Sequence, residues 1–241
     1  MSLEVSPRLA HDTVGSIEEA RQLWSLVDRP NAMIKVPATL EGIPAIQQLI
    51  GEGINVNITL LFGLPRYKQI ADAYIIGLET LATKGGNLKQ VASVASFFLS
   101  RIDVILDPLL EKKILGGGPQ AKIAACLHGQ VAIASAKVAY QIYNEIFSSD
   151  RFRKLTKIGA RTQRLLWAST STKNPAYRDT KYIEPLIGTD TINTLPVETL
   201  NAYRDHGHPE QSLDQNVSEA HQILNDLPSL GFDLNAVTTP P

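Results

Sequence analysis

Short runs in which apolar and polar residues alternate recur along the chain, and each is followed by a longer stretch with apolar residues every three or four positions. The first run, Ser2 to Ser6, sets Leu3 and Val5 against Glu4 and Ser6. The second, Ala32 to Pro37, puts Lys35 between Ile34 and Val36. The third, Ile54 to Leu61, alternates Ile54, Val56 and Ile58 with Asn55, Asn57 and Thr59. A period of two predicts strands. Further strands are expected over Val91–Phe98, Leu165–Ser169 and Thr191–Leu195. Helical spacing appears in IEEARQLWSLVD, in EGIPAIQQLIGEG up to Gly53, and from Pro65 to Leu81, where Lys84-Gly85-Gly86 ends it. A long helix is expected from Ala121 to Phe147 after the break at Gly116–Pro119, and a last one over Val217–Leu227, before a frayed TTPP.

Repeated βα units predict an α/β fold with a parallel sheet, and the TIM-type (β/α) barrel is its commonest closed form. In such a barrel the apolar face of each strand meets the helices. Glu4, Lys35, Asn57 and Thr59 would then point to a common interior, where a pocket opens at the strand C-terminal ends. The six runs fall two short of eight strands, so the expectation is a single (β/α)-barrel domain over residues 1–241, partial rather than closed.

Composition narrows the function classes. The 241 residues carry 23 basic and 24 acidic side chains, a net charge of -1. That balance lacks the basic excess nucleic-acid binding requires. No apolar run reaches the ~18–20 residues that span a bilayer. One cysteine, Cys126, rules out an intrachain disulfide and a cysteine metal cage. The start, MSLEVSPRLA, lacks the features of a secretory signal, so a cytoplasmic location is expected.

Lys35 is the principal chemical candidate. Buried among apolar residues, its ammonium would be desolvated and the neutral amine favoured, and that amine attacks a ketone carbonyl to form a Schiff base. The competing reading is a lysine at a strand end that reaches water or pairs with Glu4. Asn57 and Thr59 admit a purely structural reading as cross-strand hydrogen-bonding groups, and Arg101 one as a surface partner of Asp103. Other features point to structure. His206-Gly207-His208 has no third ligand nearby. The glycines at 116–118 lack the GK[ST] of a phosphate loop. Cys126 is expected as a small buried hydrophobe, and Asp103 and Asp107 as a solvated helix face.

The segment IKVPATLEGIPAIQQL resembles the active-site signature of transaldolase: apolar, Lys, apolar, Pro, a Thr two further on, then Gly. GINVNITLLF, LEVSPRLAHDT, SFFLSRID and RLLWASTSTKNPAYRDT are similar to further segments of the longer bacterial form, also found fused to glucose-6-phosphate isomerase. The resemblance runs from residue 2 to about 230. It implies Lys35 as the Schiff-base lysine and Glu4 as the carboxylate that positions a catalytic water, with Asn57 and Thr59 on the substrate hydroxyls and that water. Ser96 would contact substrate hydroxyls, and Arg101 and Ser169 the phosphate. Where the family often has a second arginine, two residues after the serine matched by Ser169, this chain has Ser171. Lys173 is expected to supply the lost charge.

The family's first two βα units, with an aspartate and an asparagine of the site, and its C-terminal helix have no counterpart here. The implied activity is transfer of a dihydroxyacetone unit between sugar phosphates, from sedoheptulose 7-phosphate to glyceraldehyde 3-phosphate, in the pentose phosphate pathway. The alternatives are a non-catalytic fragment of this ancestry and a fructose 6-phosphate aldolase-like lyase. No cofactor and no metal is implied. The expected partners are sugar phosphates, with no nucleic acid or membrane, and a homo-oligomer is left open.

Overall fold

A computed structural model describes residues 1–238. Every expected strand forms: β1 (Ser2–Glu4), β2 (Met33–Pro37), β3 (Val56–Leu61), β4 (Ser93–Phe98), β5 (Arg164–Ala168) and β6 (Thr191–Asn193). They form one parallel six-stranded sheet in sequence order, β1 to β6. Neighbouring parallel strands need crossover connections, and α-helices supply them from β1 through to β5, as in a TIM-type α/β fold, while the link from β5 to β6 holds only a short 3-10 turn at Glu184–Leu186.

Among the described residues there are ten α-helices: α1 (Thr13–Val27), α2 (Gly42–Ile50), α3 (Leu64–Thr83), α4 (Ser100–Leu115), α5 (Gly118–Leu127), α6 (Val131–Phe147), α7 (Asp150–Lys157), α8 (Val197–His206), α9 (Val217–Asp226) and α10 (Leu234–Thr238). The expected single helix over 121–147 is two. Gly129, at a left-handed φ of 68°, breaks it. The short helices α7, α8 and α10 add to the predicted set. In α7 only Phe152 and Leu155 are buried, too few to leave a clear helical period, while Ser149 caps it by accepting from the Phe152 N–H at 3.3 Å. Cys126 is exposed, against expectation, because α5 buries Ala124 and Leu127 and ends there.

The chain divides into two compact units, each discontinuous in sequence. Unit 1 comprises 1–61, 65–96 and 142–165, and unit 2 comprises 62–64, 97–141 and the residues from 166 on. In unit 1, Ile34, Val36, Ile58, Leu49, Ile70 and Tyr74 are fully buried. In unit 2, Trp167 meets Phe97 edge-on at 6.4 Å and donates its indole N–H to the Leu186 carbonyl at 3.1 Å. Each such side chain taken out of water stabilises its unit by about 1.5–3 kcal/mol. No helix among the described residues is long and apolar enough to cross a membrane.

Candidate active site

Strand register builds the first half of the site. In unit 1, Glu4 pairs with Lys35, Lys35 with Asn57, and Pro37 with Thr59. Side chains alternate faces along a strand, so Glu4, Lys35, Asn57 and Thr59 share one face, while Ile34, Val36 and Ile58 take the other and are fully buried there.

This parity corrects one expectation. The apolar residues flanking Lys35 in sequence lie behind it and do not wall off its ammonium. The side chain keeps 27% of its exposure, and its Nζ donates to Glu4 Oε2 at 3.3 Å. Glu4 itself is half exposed, so the pair contributes little to stability. What it sets is geometry: an amine and a carboxylate within reach of one proton. A proton passed to Glu4 leaves Lys35 a nucleophile, and the carboxylate can return it.

Asn57 is buried. Its Nδ2 donates to the Ser2 hydroxyl at 3.1 Å, and its Oδ1 accepts from Ser96 Oγ at 2.7 Å. Ser2, Asn57 and Ser96 thus form a polar row across the sheet face that carries Lys35. Thr59 is buried on the same face, followed by Leu60, whose φ of 56° turns the end of β3 into the left-handed region. Asn55, of the same parity, is structural: its side chain bonds the Pro30 and Ala32 carbonyls and the Ala92 N–H.

The loop after β2 explains two further signature residues. Thr39 Oγ1 donates to the Ala10 carbonyl at 2.5 Å and accepts from Gly42 N at 3.0 Å, tying the loop after β1 to the start of α2. A Cβ on Gly42 would sit 2.1 Å from the Pro37 carbonyl oxygen, so only glycine lets α2 begin against the end of the lysine strand.

The remaining candidates lie in unit 2. Ser169 follows β5 at a φ of 55°, and its hydroxyl contacts that of Ser100 at 2.8 Å, with Ser100 N donating to the Ser169 carbonyl at 3.1 Å. Non-glycine residues in this conformation cost about 1–2 kcal/mol and cluster at functional positions. Arg101, next to Ser100 on α4, is exposed, with its guanidinium 5.4 Å from the centroid of the Phe98 ring. Lys173 is exposed and donates to Ser171 Oγ at 2.6 Å.

Arg101 does not pair with Asp103, and the expected solvated face of α4 is overturned. Asp103 and Asp107 are buried, at 1% and 5% exposure. Asp103 accepts from Ala132 N at 2.9 Å and from Tyr182 Oη at 2.8 Å. Asp107 accepts from Gly129 N at 2.8 Å and from Tyr177 Oη at 2.6 Å. Burial pushes the Asp103 carboxyl up to about 6, against the two hydrogen bonds that lower it. The signal for these residues was present in the sequence: Asp103 and Asp107 each follow a position of the apolar series Ile102, Leu106, Leu110, at the edge of that stripe. At the end of α8, His206 bridges Asp179 and Asp205, which raises its pKa, with Asp179 the larger cause.

These features define a class: an α/β protein whose parallel sheet presents a lysine–carboxylate pair beside a hydrogen-bonded row of polar side chains. Comparison with known proteins makes it more particular. The profile of the transaldolase/fructose-6-phosphate aldolase family matches residues 1–240. A transaldolase of Thiobacillus denitrificans is 51% identical over 98% of the chain and 64% of its own length. A transaldolase 2 of Nostoc sp. is 48% identical over 98% and 64%, and a transaldolase of Saccharopolyspora erythraea 46% over 98% and 63%. The chain therefore belongs to the transaldolase/fructose-6-phosphate aldolase family. It spans under two thirds of the length of these relatives.

Proposed function

We propose that this protein catalyses the transfer of a dihydroxyacetone unit between sugar phosphates through a Schiff base on Lys35. The observation that carries the reading is the Glu4–Lys35 contact, in register with Asn57 on one sheet face. The neutral Lys35 amine attacks the C2 carbonyl of a ketose phosphate such as sedoheptulose 7-phosphate, and water leaves as the iminium forms. The iminium draws in the electron pair of the C3–C4 bond as that bond breaks. The proton of the C4 hydroxyl goes to a base and the aldose phosphate departs, leaving an enamine on Lys35. The enamine then adds to the aldehyde of glyceraldehyde 3-phosphate, a proton is taken up by the new alkoxide, and water hydrolyses the imine to release fructose 6-phosphate.

Glu4 moves protons at Lys35 and orients the water, with Thr59 its partner. Asn57 and Ser96 hold substrate hydroxyls. Phosphate recognition falls to Arg101, whose fork suits a dianion, to Ser169 and to Lys173. The organic electron sink is the lysine itself, and in this reading the chain acts in the pentose phosphate pathway. Names of the relatives support the reading, since each is a transaldolase.

The test is reduction with borohydride in the presence of fructose 6-phosphate, which should add a reduced three-carbon unit to Lys35 and nothing to a Lys35→Met variant. Equal labelling of that variant would overturn the assignment. The family description also names fructose 6-phosphate aldolase. Release of free dihydroxyacetone without an aldehyde acceptor would favour that reaction, in which the enamine takes a proton instead.

A further inference from the structure

The buried cluster on α4 is not used by the chemistry above, and stability does not explain it. Burying two carboxylates one helical turn apart is costly, and apolar residues of similar size would serve a core as well or better. Its wiring is specific. Each carboxylate gives one oxygen to a backbone N–H at the α5–α6 turn and the other to a tyrosine hydroxyl, Asp103 to Ala132 and Tyr182, Asp107 to Gly129 and Tyr177. Lys181 offsets part of the charge, with its ammonium 3.9 Å from the centroid of the Tyr177 ring and donating to the Gly129 carbonyl.

Both tyrosines belong to the segment 169–182, which contains no helix or strand. Its near end is held to the start of α4 by the Ser100–Ser169 contacts at 2.8 and 3.1 Å. Its far end is held to the next turns of the same helix by Tyr177 and Tyr182. Between these points Lys173 donates to Ser171 Oγ and Ala176 N to Asn174 Oδ1, while Thr170 Oγ1 donates to the Thr194 carbonyl at 2.9 Å. Lys173 also lines a hollow of about 220 Å³ together with Asp103, Asp107, Tyr177 and Tyr182. The loop bearing Ser169 and Lys173 is thus fastened at both ends to the helix bearing Arg101.

We infer that Asp103 and Asp107 are positioning residues that, through Tyr182 and Tyr177, hold Ser169 and Lys173 in fixed register with Arg101, so that unit 2 presents a preformed seat for a phosphate dianion. The inference rests on the phosphate role proposed for Arg101, Ser169 and Lys173. Holding a loop in its bound conformation strengthens binding by removing the ordering cost, and loss of the two tyrosine bonds returns that cost.

The experiment measures sulfate binding by calorimetry at pH 7.5, where this probe keeps its full charge, for the full chain and for the Tyr177→Phe/Tyr182→Phe double variant. The expected result is binding weakened about tenfold, with the circular dichroism spectrum unchanged. Borohydride labelling of Lys35 with phosphate-free dihydroxyacetone should be unaffected, while labelling with fructose 6-phosphate should need about tenfold more substrate to reach the same plateau. If the double variant fails to fold, the single Tyr182→Phe and Tyr177→Phe variants are read the same way, each expected to weaken sulfate binding about threefold. A folded variant that binds sulfate as the parent does would overturn the inference, as would equal losses with the two labelling substrates. A parent chain that binds no sulfate also overturns it. A parent that binds sulfate with the expected tyrosine dependence but forms no imine refutes the proposed reaction and leaves the clamp standing.

Discussion

Lys35 differs from its sequence neighbours by parity. Ile34 and Val36 face the helices and the lysine faces the polar row, where Glu4 meets it at 3.3 Å. The residue types of this row were legible because a period of two separates them from the apolar set. The environment of the amine was not, because a hydrophobic neighbour in sequence is on the opposite side of a strand. Glu4→Gln is expected to slow imine formation on the order of a hundredfold, with stability changed by less than about 1 kcal/mol, since Glu4 is half exposed and Lys35 partly so. Stopped reduction time courses and urea melts check the two halves of that statement. A large stability loss with unchanged imine formation would make the contact structural.

Asp103 makes a second prediction at this scale. Its carboxyl is raised by burial from 3.8 to about 6, so between these values the folded chain holds a proton that the unfolded chain releases. The folded state is then stabilised as pH falls through about 6 and loses that contribution as pH rises, by up to about 3 kcal/mol. The charged and titratable groups around it are Asp107, Lys181, Tyr177 and Tyr182, with His128 bonded to Tyr177 and Glu111 to His128. Urea melts of the chain and of Asp103→Asn should diverge between pH 7 and pH 4, the parent gaining relative to the variant. A difference constant over that range would contradict the raised carboxyl.

At the level of elements, the first three strands could be read from alternation, the other three from short runs rich in β-formers, and the long helices from their apolar stripes. Helix α6 was misjoined to α5 because a single glycine among good helix formers leaves the periodic signal intact, and only its left-handed φ shows the break. The acidic pair on α4 was misread because charged residues at helical spacing are usually solvated, whereas these lie beside Ile102 and Leu106 and find four donors. Gly42 carries the prediction here. An alanine inside a helix usually gains about 1 kcal/mol over glycine. At Gly42 the added carbon would meet the Pro37 carbonyl at 2.1 Å, and the clash wins. Gly42→Ala should lose about 2 kcal/mol or more in urea unfolding and lower imine formation with it, since the end of β2 must shift. A variant more stable than the parent would show that α2 can move away freely.

On the scale of the whole chain, the near-zero net charge and the single cysteine argue against a nucleic-acid partner and against a disulfide or cysteine metal cage without naming any reaction. The signature around Lys35 named a family, and that family is the one the chain belongs to. The two units bring different parts of the proposed chemistry, the lysine–carboxylate pair in one and the arginine with its serines in the other. In the proposed reaction the lysine carries the covalent intermediate. Peptide mapping after borohydride reduction of the full chain with fructose 6-phosphate therefore bears on the whole proposal. It should find one modified peptide, AMIKVPA, with the added three carbons on Lys35. An unmodified Lys35, or the same adduct on another lysine, would contradict it.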